Sequence, residues 1–136
     1  MHPSISLEGG RDQNLHLFQI ERFADNSGYR ALLSIRSGSF GLFEHAFYFE
    51  ALDQFLEDLK NVYSALAGSA VLKTAYEKSH IEVAATSLGH IQVSGLVQEH
   101  GSQSQEVRFG FTIDQTFLPD FIATVEAAAY ATRRAA

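Results

Sequence analysis

Cysteine is absent from this 136-residue chain, and proline occurs only twice, at Pro3 and Pro119. Without cysteine there is no disulfide framework, no thiolate metal site and no cysteine nucleophile. Small secreted proteins more often rely on disulfides, so the expected compartment is the cytoplasm. The opening Met-His-Pro-Ser lacks a basic segment followed by an apolar run, so no signal peptide is expected. No apolar stretch approaches the roughly 20 residues of a membrane-spanning helix. Positive charge is scarce as well: ten Lys and Arg stand against sixteen Asp and Glu, a formal charge of −6. The basic residues are scattered, Arg133–Arg134 being the one adjacent pair, whereas a nucleic-acid binder concentrates them on one face. Neither direct nucleic-acid binding nor membrane insertion is expected. An acidic surface suits a basic partner, although moderate net charge also serves solubility alone.

No internal repeat, low-complexity tract or linker interrupts the chain, so residues 1–136 are expected to form a single domain. That length buries roughly two thirds of the unfolded surface without help from a metal. Leu15 to Phe23 is apolar and aromatic, and Ala24-Asp25-Asn26-Ser27-Gly28 is a turn cluster. Tyr29, Ala31, Leu33 and Ile35 then alternate, the period of a half-buried strand. Ser37-Gly38 leads into a third strand, Ser39 to Phe49. Its apolar parity switches between Phe40 and Leu42 on one side and Phe43, Phe47 and Phe49 on the other. A bulge, or burial on both faces, would account for the switch.

A helix is expected from about Glu50 to Ala67, with Leu52, Phe55, Leu56, Leu59, Tyr63 and Leu66 as its apolar stripe. Gly68 is placed to end it. Four strands follow, about Ala70–Tyr76, His80–Thr86, His90–Gln98 and Glu106–Ile113. Ile81, Val83 and Ala85 share odd parity with Ile91, Val93 and Val97. Only an odd-length loop keeps both sets on one face, so Ser87-Leu88-Gly89 should pair Ala85 with Ile91 and Val83 with Val93. Val107, Phe109, Phe111 and Ile113 extend the apolar face. His80, Glu82, Thr86, His90, Gln92, Ser94 and Arg108 form a wet opposite face. A last helix is expected from about Thr116 to Ala131, capped by Thr116, with Leu118, Phe121, Ile122 and Val125 inward and Arg133 and Arg134 just past its end. The class is α+β: two layers, a mostly antiparallel sheet of about six to eight strands with two amphipathic helices on one face, in the order β-β-β-α-β-β-β-β-α.

Chemistry is hard to find in these residues. Phosphate-binding glycine patterns and the Gly-x-Ser-x-Gly elbow are missing, and Gly38-Ser39-Phe40-Gly41 is too short and is taken as a hairpin turn. Of the six histidines, His80 and His90 share the wet face. The expected register puts them roughly 20 Å apart at about 3.3 Å per residue, too far to share an ion. Asp114, followed by Gln115 and Thr116, suits capping or local turn structure better than catalysis. Tyr63, Tyr76 and the eleven phenylalanines are taken as core, and no spacing ties Ser, His and Asp into a triad. No catalytic set, cofactor or metal site is expected. One surface feature is left: Glu44, Glu50, Asp53, Glu57 and Asp58 fall within fifteen residues that hold no Lys or Arg. It is either an ordinary solvated face or a docking patch for a basic protein.

Four segments carry a resemblance. They are Phe55-Leu56-Glu57-Asp58-Leu59-Lys60, Leu66-Ala67-Gly68-Ser69-Ala70-Val71-Leu72, Gly89-His90-Ile91-Gln92-Val93, and Phe109-Gly110-Phe111-Thr112-Ile113-Asp114-Gln115-Thr116-Phe117-Leu118. Over about residues 39–126 the chain resembles the WapI-family immunity proteins of bacteria. A related group of uncharacterised domains carries a similar Gly-His-hydrophobic strand. The resemblance implies a small, non-enzymatic cytoplasmic antidote that binds and blocks a cognate toxin, often a nuclease. The acidic residues from Glu44 to Asp58 would then face a basic protein toxin. Two other readings stay open. One is a small hydrolase or ligand-binding domain with a pocket between helices and sheet, tested first at His90 and Asp114. The other is an assembly subunit that pairs through a sheet edge.

Overall fold

Alternation of apolar and polar residues produces eight strands here, and the three-four spacing produces two helices. In the computed structural model, which describes residues 2–74 and 78–135, the chain runs β1 (Ile5–Glu8), β2 (Gln13–Arg22), β3 (Tyr29–Ser37), β4 (Phe40–Phe49), α1 (Leu52–Ala65), β5 (Ser69–Lys73), β6 (His80–Ala85), β7 (His90–His100), β8 (Ser104–Asp114) and α2 (Leu118–Ala135). The class is α+β, as expected. The strands divide into two antiparallel meanders of four, ordered β1-β2-β3-β4 and β5-β6-β7-β8. The expected order had three strands before the first helix. The additional one is β1, whose four residues give only Ile5 and Leu7 as an alternating pair. The expected reach of the fifth strand to Tyr76 lies outside the described residues.

The element order is four strands and a helix, twice over, although the sequence shows no repeat. Each helix packs mainly on the first two strands of the other meander: α1 on β5 and β6, α2 on β1 and β2. The helices also touch, with the Phe55 and Phe121 rings edge-on at 6.3 Å between centroids. Apolar side chains of both sheets enter one core with the helix stripes: odd-numbered in most strands, among them Ile5, Leu7, Leu33, Ile81, Val83, Ile91, Val93, Phe111 and Ile113, but even-numbered in β5, Ala70 and Leu72, and at Ile20 beyond the β2 bulge.

Register in the second sheet is as the parity argument required. Ala85 pairs with Ile91 and Val83 with Val93 across the loop Ser87–Gly89, in which Leu88 and Gly89 both take positive φ, 63° and 76°. His80 lies opposite Leu96, six residues along β7 from His90, so the two histidines are held far apart. The parity switch in β4 is a bulge. Leu33 pairs with His45 and Ile35 with Leu42, Glu44 takes φ 52°, and its N–H donates to Ser34 Oγ at 3.0 Å. A second bulge in β2 sets Gln19 at φ 53°.

The helices differ in detail from their expected form. α1 begins at Leu52 and ends at Ala65, and Leu66, not Gly68, is the left-handed residue at its end, its N–H donating to the Val62 carbonyl at 2.8 Å. Val62 completes the buried stripe, while Tyr63 and Leu66 are exposed. The 3.6-residue period places Tyr63 nearer the axis of the stripe than Val62, so the elements packed on α1, not periodicity, bury Val62 and leave Tyr63 exposed. α2 is preceded by a short 3-10 turn, Gln115–Phe117, capped by Asp114 in place of Thr116. It runs far enough to place Arg133 inside its last turns.

Gly95 is required by close packing. A Cβ there would meet the His80 carbonyl oxygen at 2.4 Å and the Phe109 ring at 2.7 Å. Gly95→Ala is expected to destabilise the fold by about 1–3 kcal/mol, the usual cost of overpacking. Gly101→Ala, with nothing within 4 Å of its Cβ, should leave the thermal midpoint essentially unchanged. Parallel thermal melts of the two variants check this.

Candidate functional site

The five carboxylates singled out from the sequence do not form one patch. Asp53 and Glu57 lie on the flank of α1 that faces α2, along a groove shared with Leu56, Lys60, Ala123, Glu126 and Arg133. Asp53 is bridged by Arg133 Nη2 at 2.7 Å, and Lys60 Nζ bridges to Glu126 at 2.9 Å, so the groove is largely neutralised. These exposed bridges fix the helix pair more than they stabilise it, since such pairs contribute about 0–1 kcal/mol. Asp58 points to the other flank and accepts from Gln54 Nε2 at 2.9 Å. Glu50 is half-buried at the junction between β4 and α1, where its N–H donates to the Lys73 carbonyl at 3.2 Å. Glu44 sits on the β4 bulge. Glu44 and Glu57 are exposed and have no ion-pair partner among the described residues.

A different surface stands out where β4 meets β8, the strands at the ends of the two sheets. A cavity of about 240 Å³ is lined by Ile35, Phe40, Leu42, Val107, Arg108 and Phe109, among others. Leu42 and Val107 also line a neighbouring cleft of about 140 Å³ that reaches His45, Val97, Glu99 and Glu106. At the mouth, Phe40 is 80% exposed; Phe43, 74% exposed, stands on the other face of β4, since Phe40 and Leu42 share the face of their partners Ser37 and Ile35. Full burial of a phenylalanine side chain yields roughly 1.5–3 kcal/mol, most of which these two forgo. The expectation that all phenylalanines are core is therefore corrected at both positions, and at the exposed Phe117. The signal in the sequence was the hairpin itself, Ser37-Gly38-Ser39-Phe40. Ser37 pairs with Phe40 across the two-residue turn, with Gly38 at φ 65°, which puts Phe40 at a hairpin tip.

The family comparison is decisive at this point. The model of the immunity protein WapI-like family matches residues 6–132. The chain belongs to that family. No curated protein and no solved structure matches it. Membership extends the resemblance seen in the sequence to the N-terminal strands and to nearly all of α2.

For a WapI-like chain the remaining question is whether any residues could perform catalysis. The fold assembles one line that the sequence did not suggest, because β1 was not foreseen. Ser6 Oγ lies 3.4 Å from His16 Nδ1, and His16 Nε2 lies 2.7 Å from Glu8 Oε1. Acyl transfer also needs paired N–H donors for the oxyanion and a substrate cleft. The Ser6 N–H is already donated to Thr124 Oγ1 at 3.1 Å, and no described cleft is lined by Ser6 or His16. His90 and Asp114 are brought together as cross-strand neighbours, but both are exposed and line no described cleft. The interface between sheets and helices is filled by the core cluster. Among the described residues no group of three His, Asp or Glu is placed to hold a metal ion, and no helix is long and apolar enough to cross a membrane.

Asp114 acts structurally. Its Oδ1 accepts from the Thr116 N–H at 2.9 Å. That bond first, then the Thr116 side chain, and least the charge of His90, hold its carboxyl below the ordinary value. A carboxyl lowered on folding stabilises above its unfolded pKa, and that stabilisation is lost as pH falls through the folded value. Asp114→Ala should lower the melting temperature at pH 7, and the gap to the parent protein should close as pH falls below about 3.9. A gap that stays constant from pH 7 to pH 2.5 would contradict the capping role.

Proposed function

We propose that this chain is a non-enzymatic immunity protein that binds a cognate protein toxin and blocks it by direct contact, in the cytoplasm of the cell that makes the toxin. The observation that carries this reading is the match of the WapI-like immunity protein family over residues 6–132. The formal charge of −6 supports a basic partner, and a nuclease is such a partner because it must bind phosphates. Catalysis has no support in the arrangement at Ser6, His16 and Glu8, where the Ser6 N–H is committed to Thr124 and no described cleft is lined by Ser6 or His16.

Of the acidic residues, Glu44 and Glu57 are proposed to steer the toxin from a distance, since they are exposed and have no ion-pair partner among the described residues. Asp53 is a poorer test, because replacing it also breaks the bridge to Arg133. The full-length chain, immobilised and exposed to native lysate of its own host, should retain a basic toxin. Titration should then block that toxin in one-to-one proportion. Complete protection at strongly sub-stoichiometric amounts would point instead to an enzyme. With the toxin in hand, Glu44→Lys combined with Glu57→Lys should slow association by roughly tenfold at low salt, with the difference shrinking as salt rises. Stopped-flow measurement showing an unchanged rate would remove these residues from the encounter.

A further inference from the structure

We infer that the cleft between β4 and β8 is where the partner's anchor side chain seats, and that this anchor is an apolar or aromatic residue flanked by basic ones. The identity of the partner as a toxin rests on the family reading above; the cleft itself rests on geometry.

The first argument is construction. Phe40 and Leu42 share the face of β4 that lines the cavity. On the opposite wall Gly95 makes room for the Phe109 ring, which a Cβ there would meet at 2.7 Å. The hairpin tip that carries Phe40 is held from two sides. Ser37 Oγ donates to the Gly110 carbonyl at 3.1 Å, and the Gly38 N–H donates to the Asp12 carbonyl at 2.8 Å. The walls are therefore fixed before any partner arrives, and an exposed aromatic beside a preformed apolar pocket is the composition of an interface anchor site.

The second argument is size. A cavity of about 240 Å³ lies below the roughly 300–1,000 Å³ of small-molecule sites, so it suits one side chain rather than a cofactor or drug-sized ligand.

The third argument is charge. Glu99 and Glu106 line the cleft that continues from the cavity. Against these two carboxylates stand Arg108, 3.8 Å from Glu106, and His45, 3.9 Å from Glu99. Arg36, at the same end of the sheet, is held by Asp12 at 3.4 Å. With His45 neutral the rim carries a net negative charge. A second copy docked symmetrically on this face would bring those carboxylates against themselves. A basic partner would gain from them.

Two experiments separate the cleft from the family reading. The first uses a capped pentapeptide with a central phenylalanine between lysine pairs, titrated into the labelled full chain and followed by amide NMR shifts. Shifts confined to β4 and β8, weakened roughly tenfold when the central residue is alanine or the lysines are glutamates, support the cleft. No shifts at those strands overturn it, whatever the partner proves to be. The second uses the toxin recovered from lysate. Phe40→Ala should weaken its binding by roughly tenfold or more with an unchanged melting temperature. Val107→Lys, which keeps Phe40, should weaken it similarly by placing a like charge before a basic anchor. Phe117→Ala, an exposed phenylalanine in the turn before α2, should do neither. Toxin binding that survives both cleft variants overturns the proposal. So does a parent protein that elutes as a dimer and becomes monomeric on loss of Phe40. If no toxin is retained by the parent protein, the family reading fails and the peptide alone decides the cleft.

Discussion

Each helix lies on the sheet it does not follow, and this exchange holds the molecule together. The inward faces of β1 and β2 are covered by α2, the last element of the chain. The inward faces of β5 and β6 are covered by α1, which leads out of the first meander. A four-stranded sheet with one bare apolar face has no stable free state in water. Neither half can therefore bury its core without the other. The hydrogen bond from the Ser6 N–H to Thr124 Oγ1, spanning 118 positions, shows how far apart in the chain the mutually dependent parts are. Contacts of this range make closure costly in entropy and place the helix docking late, after local hairpins exist.

The same exchange decides which sheet edges are protected. Unpaired edge groups invite association with other chains, so their treatment has consequences. At β1 the free backbone is occupied by the Thr124 side chain, and at β5 by the Glu50 N–H. The other two edges, β4 and β8, are left without a helix, and they converge on the cleft that holds Phe40 and Leu42 on one side and Val107 and Phe109 on the other. The bulge at Glu44 twists the β4 edge and interrupts its ladder, which discourages simple strand addition. What remains available there is a side-chain pocket walled by Phe40, Leu42, Val107 and Phe109.

Much of this could be seen in the residues. Odd parity in β6 and β7 forced a three-residue loop and the pairing of Val83 with Val93, because a slip of one residue turns every side chain over. The change of parity between Leu42 and Phe47 left open a bulge or burial on both faces, and the bulge is what the pairing with β3 shows. The stripes at Leu52, Phe55, Leu56 and Leu59 and at Leu118, Phe121 and Val125 gave both helices. β1 was missed because two alternating residues cannot be told from chance. The acidic cluster was misjudged as one face because its main counter-ion, Arg133, comes 80 residues after Asp53 and meets it only when α2 lies beside α1.

Periodicity and turn residues determined the class, the number of helices and the register of β6 on β7, since these depend on neighbours within about a dozen positions, and composition alone excluded cysteine chemistry. The division into two sheets, the exchange of helices and the exposure of Phe40 and Phe43 were decided by tertiary structure alone. An aromatic residue on a strand is core or surface according to what covers it. Here the covering elements come from the distant half of the chain and stop short of that hairpin.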